Sequence, residues 1–353
     1  MNIEINIREL LSLMDRPAFC VSGNLVTEVN AGAQALGVQA GFSIAELICG
    51  DGAEYETYSD GMLYLTLKLP ESSPCARVSK LGGQDLFTIE PEEEDHLQAL
   101  SLAAQELRLP LSQVMSVYET MMPKLEQAAS EKEALQLCRM NRSLYQLLRL
   151  VGNMSDARSG GIARMELQEL TALLAEIMEH AQDLCQAAGV TVVFENHPAH
   201  VFSIVDIQKL ERAVYNLLSN AIRHTPAGGV IHVQFARRNN SAVLTVSDPG
   251  NGASADLSPE SFQKYHREPS LFDKQEGLGL GMTLIRSAAT AHQGTLLLRP
   301  RSEGGMQAVL SFPIRQDTSQ LRSPVLRIDY AGERDHGLVE LSQFLPPERF
   351  SSK

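Results

Sequence analysis

The sequence predicts a multidomain α+β chain: a small mixed domain, then a two-helix hairpin, then an α/β sandwich. Three observations predict it. Residues 1–92 hold short β-prone runs separated by turn residues, and residues 93–159 carry apolar positions at alternating spacings of four and three. Residues 160–314 alternate helix-like and strand-like segments, leaving 315–353 as an extension. At 353 residues the chain is long enough for two or three domains with cores of their own.

In the first block, residues 7–14 read as a helix, and PAFCVSGNLVTEVN places Gly23-Asn24 between two β-prone runs, a hairpin signal. AGAQALGV and GFSIAELI read as short helices, the first opened by Asn30 and closed by Gly37, and MLYLTLKL and ARVSKLGGQDLFTIE as later strands. This order resembles a compact PAS sensor domain. Such a domain serves either as a ligand sensor or only in dimerisation. The first histidine of the chain is His96, so axial haem ligation by histidine is excluded in this block.

The acidic PEEED at 91–95 suits the positive end of a helix dipole and marks the boundary. Beyond it, Leu100, Ala104, Leu107, Leu111, Val114, Tyr118, Met121 and Leu125 form the seam of a coiled coil or bundle. After a polar break at 127–133, Leu137, Met140, Leu144, Leu147, Val151 and Met154 repeat the spacing. Two such helices form an antiparallel hairpin that cannot cover both seams alone, so dimerisation into a four-helix bundle is expected. The competing arrangement packs the helices on the neighbouring domain.

In the third block, QELTALLAEIMEHAQDLCQAAG reads as a helix closed by Gly189, followed by strand TVVFE. Asp206 is placed to cap the helix IQKLERAVYNLLSNAIR. Strands VIHVQF and AVLTVS, the helix GMTLIRSAATAHQG, and strands TLLLR and QAVLSF complete a sandwich on a mixed sheet. The extension contains VLRIDY and GLVELSQFL, has no assignable role, and is expected to be flexible or loosely docked.

Composition narrows the function classes. A net charge of −13 disfavours binding to nucleic-acid backbones or anionic membranes. Five cysteines without CxxC spacing fit reduced thiols, with neither a disulfide framework nor a zinc site. Glu4 and Glu9 stand where a secretion signal needs positive charge, and no apolar run approaches the ~18 residues that span a bilayer. The expected location is cytoplasmic, and no membrane span is expected.

The chemistry concentrates in three motifs. Arg212, Asn216 and Asn220 lie four apart and so share one helical face. Amides there can offer oxygens to Mg²⁺ and nitrogens to phosphate. In VSDPGNG, Asp248 ends a strand while Gly250 and Gly252 let the backbone approach a flat ligand. In EGLGLGM, Gly277, Gly279 and Gly281 precede a helix, where N–H groups suit phosphate oxygens. Neither a dinucleotide fingerprint nor a Walker GK[ST] is present.

In order and spacing these motifs resemble the N, G1 and G2 boxes of the Bergerat-fold ATPases, specifically sensor histidine kinases, with SFQKYHRE resembling the F box. HQG at 292–294 and SEGG at 302–305 also agree, and the resemblance runs from about residue 97 to 314. It implies ATP and Mg²⁺ as cofactors. Asn220 would be the Mg²⁺ ligand, Asn216 and Arg223 would lie near the phosphates, and Asp248 would read adenine. Phe262, Tyr265 and Arg267 would belong to a lid, with Arg267 able to reach the γ-phosphate, and the glycines of the third motif would cradle the triphosphate. The chaperone and gyrase branches hydrolyse ATP with a Glu where this chain has Asn216, so the kinase branch fits.

Kinases of this family carry their phosphoacceptor in a His-Glu-Leu-Arg-Thr-Pro-Leu motif, and this chain reads Gln105-Glu106-Leu107-Arg108-Leu109-Pro110-Leu111. An amide nitrogen has no lone pair available for attack on phosphorus, whereas neutral imidazole has. Glu106, the family's assisting base, is left without a group to activate, and Leu109 replaces the Thr used in dephosphorylation. None of the nine histidines lies between 97 and 179, and His96 reads as a surface residue. Autophosphorylation at the usual site is therefore not expected. Three readings follow: a degenerate kinase in which ATP sets dimer geometry, an active kinase phosphorylating a partner histidine in trans, or a nucleotide-independent scaffold. The partners implied are a second copy of the chain, a response regulator, or a partner kinase.

Overall fold

A computed structural model describes residues 7–81, 83–90, 94–156, 163–197, 200–250, 280–316 and 334–351. The first module contains α1 (Ile7–Leu13), β1 (Ala18–Ser22), β2 (Leu25–Val29), α2 (Ala31–Ala35), α3 (Ile44–Leu47), α4 (Ala53–Glu56), β3 (Met62–Thr66), β4 (Cys75–Leu81) and β5 (Gln84–Ile89). Gly23 turns the β1–β2 hairpin with φ +62°, and Gly37, at φ +91°, closes the α2 stretch that Asn30 caps. The Asn30 Oδ1 accepts from both Ala33 N and Ala18 N, so one buried side chain fixes helix and strand together.

The two long helices are α5 (Glu94–Ala128) and α6 (Glu131–Asp156). Ser101 contacts Ser155 and Tyr118 contacts Leu137, which makes the pair antiparallel. At the start of α6 the Glu133 carboxylate reaches back to accept from both the backbone N and the hydroxyl of Ser130. Pro110 and Pro123 both lie inside α5. The apolar stripe divides. Ala104, Met115, Tyr118 and Met122 are buried, whereas Leu107, Val114, Met121 and Leu125 on α5 and Met140 and Leu147 on α6 are exposed.

The third block contains β6 (Glu166–Glu169), α7 (Leu170–Ala187), β7 (Thr191–Asn196), β8 (Phe202–Val205), α8 (Ile207–His224), β9 (Val230–Arg238), β10 (Ser241–Ser247), α9 (Leu280–Ala291), β11 (Thr295–Pro300) and β12 (Met306–Pro313). Strands β6 and β8 form a separate pair that the sequence did not announce. The remaining strands join those of the first module in one ten-stranded sheet of order β2-β1-β5-β4-β3-β11-β12-β10-β9-β7. The joint is antiparallel pairing of β3 with β11, Met62 to Leu298 through Leu65 to Thr295. Two blocks that read as separate domains therefore share a sheet. Gly61 permits the approach, since a Cβ there would lie 2.0 Å from the Leu298 carbonyl oxygen.

Both faces of the shared sheet are covered. Leu244, Leu296 and Leu310 pack with α7 and α8, while Val243, Leu297 and Val309 join the core of the first module. Glu54 of α4, nearly fully buried, accepts from Arg238 and Thr295 at 3.3 Å each, and Asp51 accepts from Ser241 at 3.1 Å.

The C-terminal segment departs from the loosely docked extension expected. Residues 334–351 form α10 (His336–Leu341) and a 3-10 turn (Pro347–Phe350) wedged against α6, α7 and α8. Val339, Leu341, Leu345 and Phe350 are buried, which repays the ordering of a segment with so little secondary structure. Asn141 and Arg142 of α6 donate to the carbonyls of Phe350, Ser342 and Gln343. The β-prone VLRIDY lies outside the described residues.

Candidate functional site

Helix α8 is fixed at its start by two buried groups. The Asp206 carboxylate caps it by accepting from Lys209 N at 3.0 Å, and also accepts from Arg164 N at 2.9 Å. Asp206 N in turn donates to His292 Nε2 at 2.9 Å, while His292 Nδ1 donates to the Ala288 carbonyl at 2.7 Å. This assigns the neutral Nδ1–H tautomer, and burial lowers the pKa of the ring. The HQG motif thus locks the end of α9 to the start of α8. Gly294 completes it, because a Cβ there would meet the Ser311 carbonyl at 2.1 Å.

The face of α8 that carries Arg212, Asn216 and Asn220 does not act as one surface. Arg212, 4 % exposed, turns toward α6 and α10: its guanidinium donates to Glu340 at 3.2 Å, to Asn153 at 2.7 Å, and to Asp156. Glu340 is fully buried and also pairs with Arg149 at 3.3 Å, and Arg149 reaches Ser219 of α8 at 3.0 Å. Asn216 is nearly fully buried, and its Nδ2 donates to the Arg212 carbonyl at 2.8 Å. Its Oδ1 faces the start of α9, where a Cβ on Gly281 would come within 2.8 Å. Asn220 alone of the three lines the open groove.

That groove, about 830 Å³ with the solvent at its mouth included, lies between α8 and α9 over the sheet. Asn220 and His224 face it from α8, Asp248 from the end of β10, and Met282, Thr283 and Arg286 from α9. Val246, Leu298 and Ala308 form an apolar floor. Asp248 is 6 % exposed, and burial raises its pKa although Gly250 N donates to Oδ1 at 2.9 Å and Met306 N at 3.4 Å. His224 is pushed the other way by burial, toward its neutral form. A carboxylate at the end of an apolar slot is suited to accept from an amine on a flat ring.

Glycines shape this end. A Cβ on Gly250 would lie 2.6 Å from the His224 carbonyl oxygen, and one on Gly305 would lie 2.0 Å from the Asp248 carbonyl oxygen. Arg301, just before the SEGG stretch, donates to that same carbonyl at 2.9 Å, so the turn from Arg301 to Gly305 holds Asp248 in place. Arg223 lies on the last turn of α8, outside the groove wall formed by the described residues. Gly252, Phe262, Tyr265, Arg267, Gly277 and Gly279 lie outside the described residues. His224, Met282, Thr283, Arg286 and Met306 escaped the sequence reading, although His224 stands only four residues beyond Asn220 in NAIRHTP.

Comparison with known proteins bears on this arrangement. The family described as histidine kinase-, DNA gyrase B- and HSP90-like ATPase matches residues 205–316, which run from the β8–α8 junction through β12. The sensor histidine kinase TmoS of Ectopseudomonas mendocina is 28 % identical over 224 residues, 60 % of this chain and 22 % of its own length. The sensor protein SphS of Synechococcus elongatus is 29 % identical over 243 residues, 65 % of this chain and 56 % of its own. Residues 205–316 are thus similar to the ATPase domain shared by histidine kinases, DNA gyrase B and HSP90, and the chain as a whole is similar to sensor histidine kinases. A crystal structure of full-length ShkA in complex with AMPPNP is 20 % identical, with a TM-score of 0.47, covering 62 % of this chain and 46 % of ShkA. The chain spans only part of its curated relatives, from about a fifth to just over half of these two.

Gln105 and Glu106 are exposed on α5, one and two residues after the fully buried Ala104. Gln105 therefore stands beside the seam and open to solvent. The side chain of His96 lies outside the described residues. Among the described residues no helix is long and apolar enough to cross a membrane.

Proposed function

We propose that this protein is an ATP-binding, histidine kinase-like signalling protein that lacks its own phosphoacceptor, and that nucleotide acts as a conformational ligand. The observation that carries this reading is the contrast between the groove and α5. Asp248 and Asn220 line an ordered groove, while the acceptor position of the helix is an exposed glutamine. Adenine would take Asp248, and the amide oxygen of Asn220 suits Mg²⁺ held jointly with phosphate oxygens and water. A single hard oxygen fits a metal that arrives with its nucleotide. The metal would supply charge neutralisation on the phosphates. Asn216, where hydrolytic relatives place a carboxylate, gives no base to activate water.

The exposed apolar band of Leu107, Val114, Met121, Leu125, Met140 and Leu147 supports a homodimer built on the hairpin, since so many large apolar groups on one face mark an interaction surface. The first module then serves as a PAS-like sensor in contact with the ATPase domain. A response regulator or a partner kinase is the implied recipient of the signal, and either partner implies a cytoplasmic site of action. Retention of the groove motivates a second reading, transfer of the γ-phosphate in trans to a histidine on a partner, for which Arg267 would be the lid arginine. Calorimetric titration with Mg-ATP tests the shared premise: wild type is expected to bind and Asp248→Asn to lose at least tenfold in affinity. Equal, absent binding in both would leave the nucleotide-independent scaffold.

A further inference from the structure

The floor of the groove is a single cross-strand row. Val246 of β10 pairs with Ala308 of β12, Ala308 with Leu298 of β11, and Leu298 with Met62 of β3. Residues directly opposite one another point to the same face, so these four side chains form one ledge, about 14 Å long at ~4.8 Å per strand. Three belong to the ATPase domain and the fourth to the first module. All four line the groove. Without β3, strand β11 would be a sheet edge and the ledge would stop at Leu298.

Tyr64, two residues along the same face of β3, also lines the groove and is 2 % exposed. Arg286 of α9 lies over its ring, with 5.1 Å from the guanidinium carbon to the centroid, a cation–π contact across the joint between the two blocks. Arg286 stands one helical turn from Met282, and both line the groove. Its Nε is buried and has no hydrogen-bond partner among the described residues. Tyr64 thereby sets the position of α9, whose first turn holds Gly281 against Asn216.

We propose that the first module completes the nucleotide groove in cis: Met62 and Tyr64 are positioning residues for the occupant, so nucleotide binding and docking of β3 on β11 favour one another. This rests on the reading of the groove as an ATP site. By linkage, whatever loosens the β3–β11 joint weakens the nucleotide, and the nucleotide tightens the joint by the same factor. The module thus has a route to the groove that bypasses the helices α5 and α6. A ligand or partner that distorted β3 would be read directly as a change in nucleotide affinity.

The test uses the full chain, with Mg-ATP affinity from calorimetry and amide hydrogen exchange of β3 and β11 with and without nucleotide. Gly61→Ala puts a methyl group into the Leu298 carbonyl without altering any lining residue. Thr66→Val, which removes the 2.9 Å hydrogen bond to the Gly294 carbonyl, is the milder second variant should the first fail to fold. Met62→Ala shortens the ledge, and Met62→Leu restores its volume. Gly61→Ala and Met62→Ala are expected to weaken Mg-ATP about tenfold, within the usual range of coupling between sites. Met62→Leu should bind like wild type, and Mg-ATP should slow exchange in β3 and β11. Affinities within twofold of wild type in all four variants, with exchange in β3 and β11 unmoved by nucleotide, would overturn the proposal. If Asp248→Asn still abolishes binding in that case, the ATP reading survives. Failure of the wild type to bind Mg-ATP would overturn both.

Discussion

The groove and the acceptor stretch of α5 obey different constraints. At the groove Asp248 is held from several sides, by Gly250, Met306, Arg301 and Gly305, and behind the groove wall Asn216 is fixed by its bond to the Arg212 carbonyl and the close approach of Gly281. Almost any substitution there disturbs packing as well as chemistry. Position 105 is exposed on a helix whose stability comes from the opposite face, so its identity is free to change at little cost to the fold. Ordered geometry in the groove is therefore partly an architectural necessity. The residue at 105 is a statement about function alone.

The largest expected effect lies where architecture dominates. Glu340→Ala leaves Arg212 and Arg149 facing a buried vacancy, and removing one partner of a buried ionic cluster costs about 3–5 kcal/mol. Chemical denaturation should show that loss, and proteolysis should cut within 334–351 first. A stability change below 1 kcal/mol would mean that the C-terminal segment is not the clamp its contacts imply. Next is the hairpin. Val114→Glu combined with Met121→Glu places charges in the exposed band and is expected to convert a dimer to a monomer in sedimentation while Mg-ATP affinity stays unchanged. A dimer that survives both charges would locate the interface elsewhere.

A smaller effect sharpens the account of the clamp. His180 Nε2 lies 3.0 Å from the Asp335 carboxylate, which raises the histidine pKa and lowers that of Asp335. A raised folded-state pKa means that the protonated ring binds better in the folded protein. Its stabilisation is complete below the unfolded value near 6.5 and is lost as pH rises through the folded value. Asp335 works in the opposite sense, contributing above about 3.9 and losing its contribution as pH falls through its folded value. Protection of α10 amides should therefore fall as pH climbs from 6 to 8, and His180→Gln should flatten that profile. An unchanged slope in the variant would assign the dependence to another group.

Much of the fold was legible because it is local. The Gly23 hairpin, the Asn30 and Asp206 caps, the Gly189 turn and the periodicity of α5 and α6 are each set by a few neighbouring residues. The β3–β11 joint was not legible in the same way, since strand pairing across more than two hundred residues leaves no local mark. One signal was available: SAVLTVS and TLLLR are apolar without alternation, the pattern of strands buried on both faces. The clamp was hidden for a related reason. Glu340 reads as a surface residue until Arg149 and Arg212 are brought to it. In the site, Asp248, Asn220 and Gly281 were identified from their motifs, whereas Met62, Tyr64 and Arg286 belong to the groove only through tertiary packing.

A groove that binds ATP beside a helix α5 unable to accept its phosphate separates binding from labelling. Incubation of wild type and Gln105→His with γ-labelled Mg-ATP, scoring acid-labile phosphate on each chain and bound nucleotide in the same samples, measures both at once. Bound nucleotide is expected in both and no label on wild type; label on Gln105→His would show that the ATPase domain can reach the helix and strengthen transfer in trans. Acid-labile phosphate on the wild-type chain would overturn this reading.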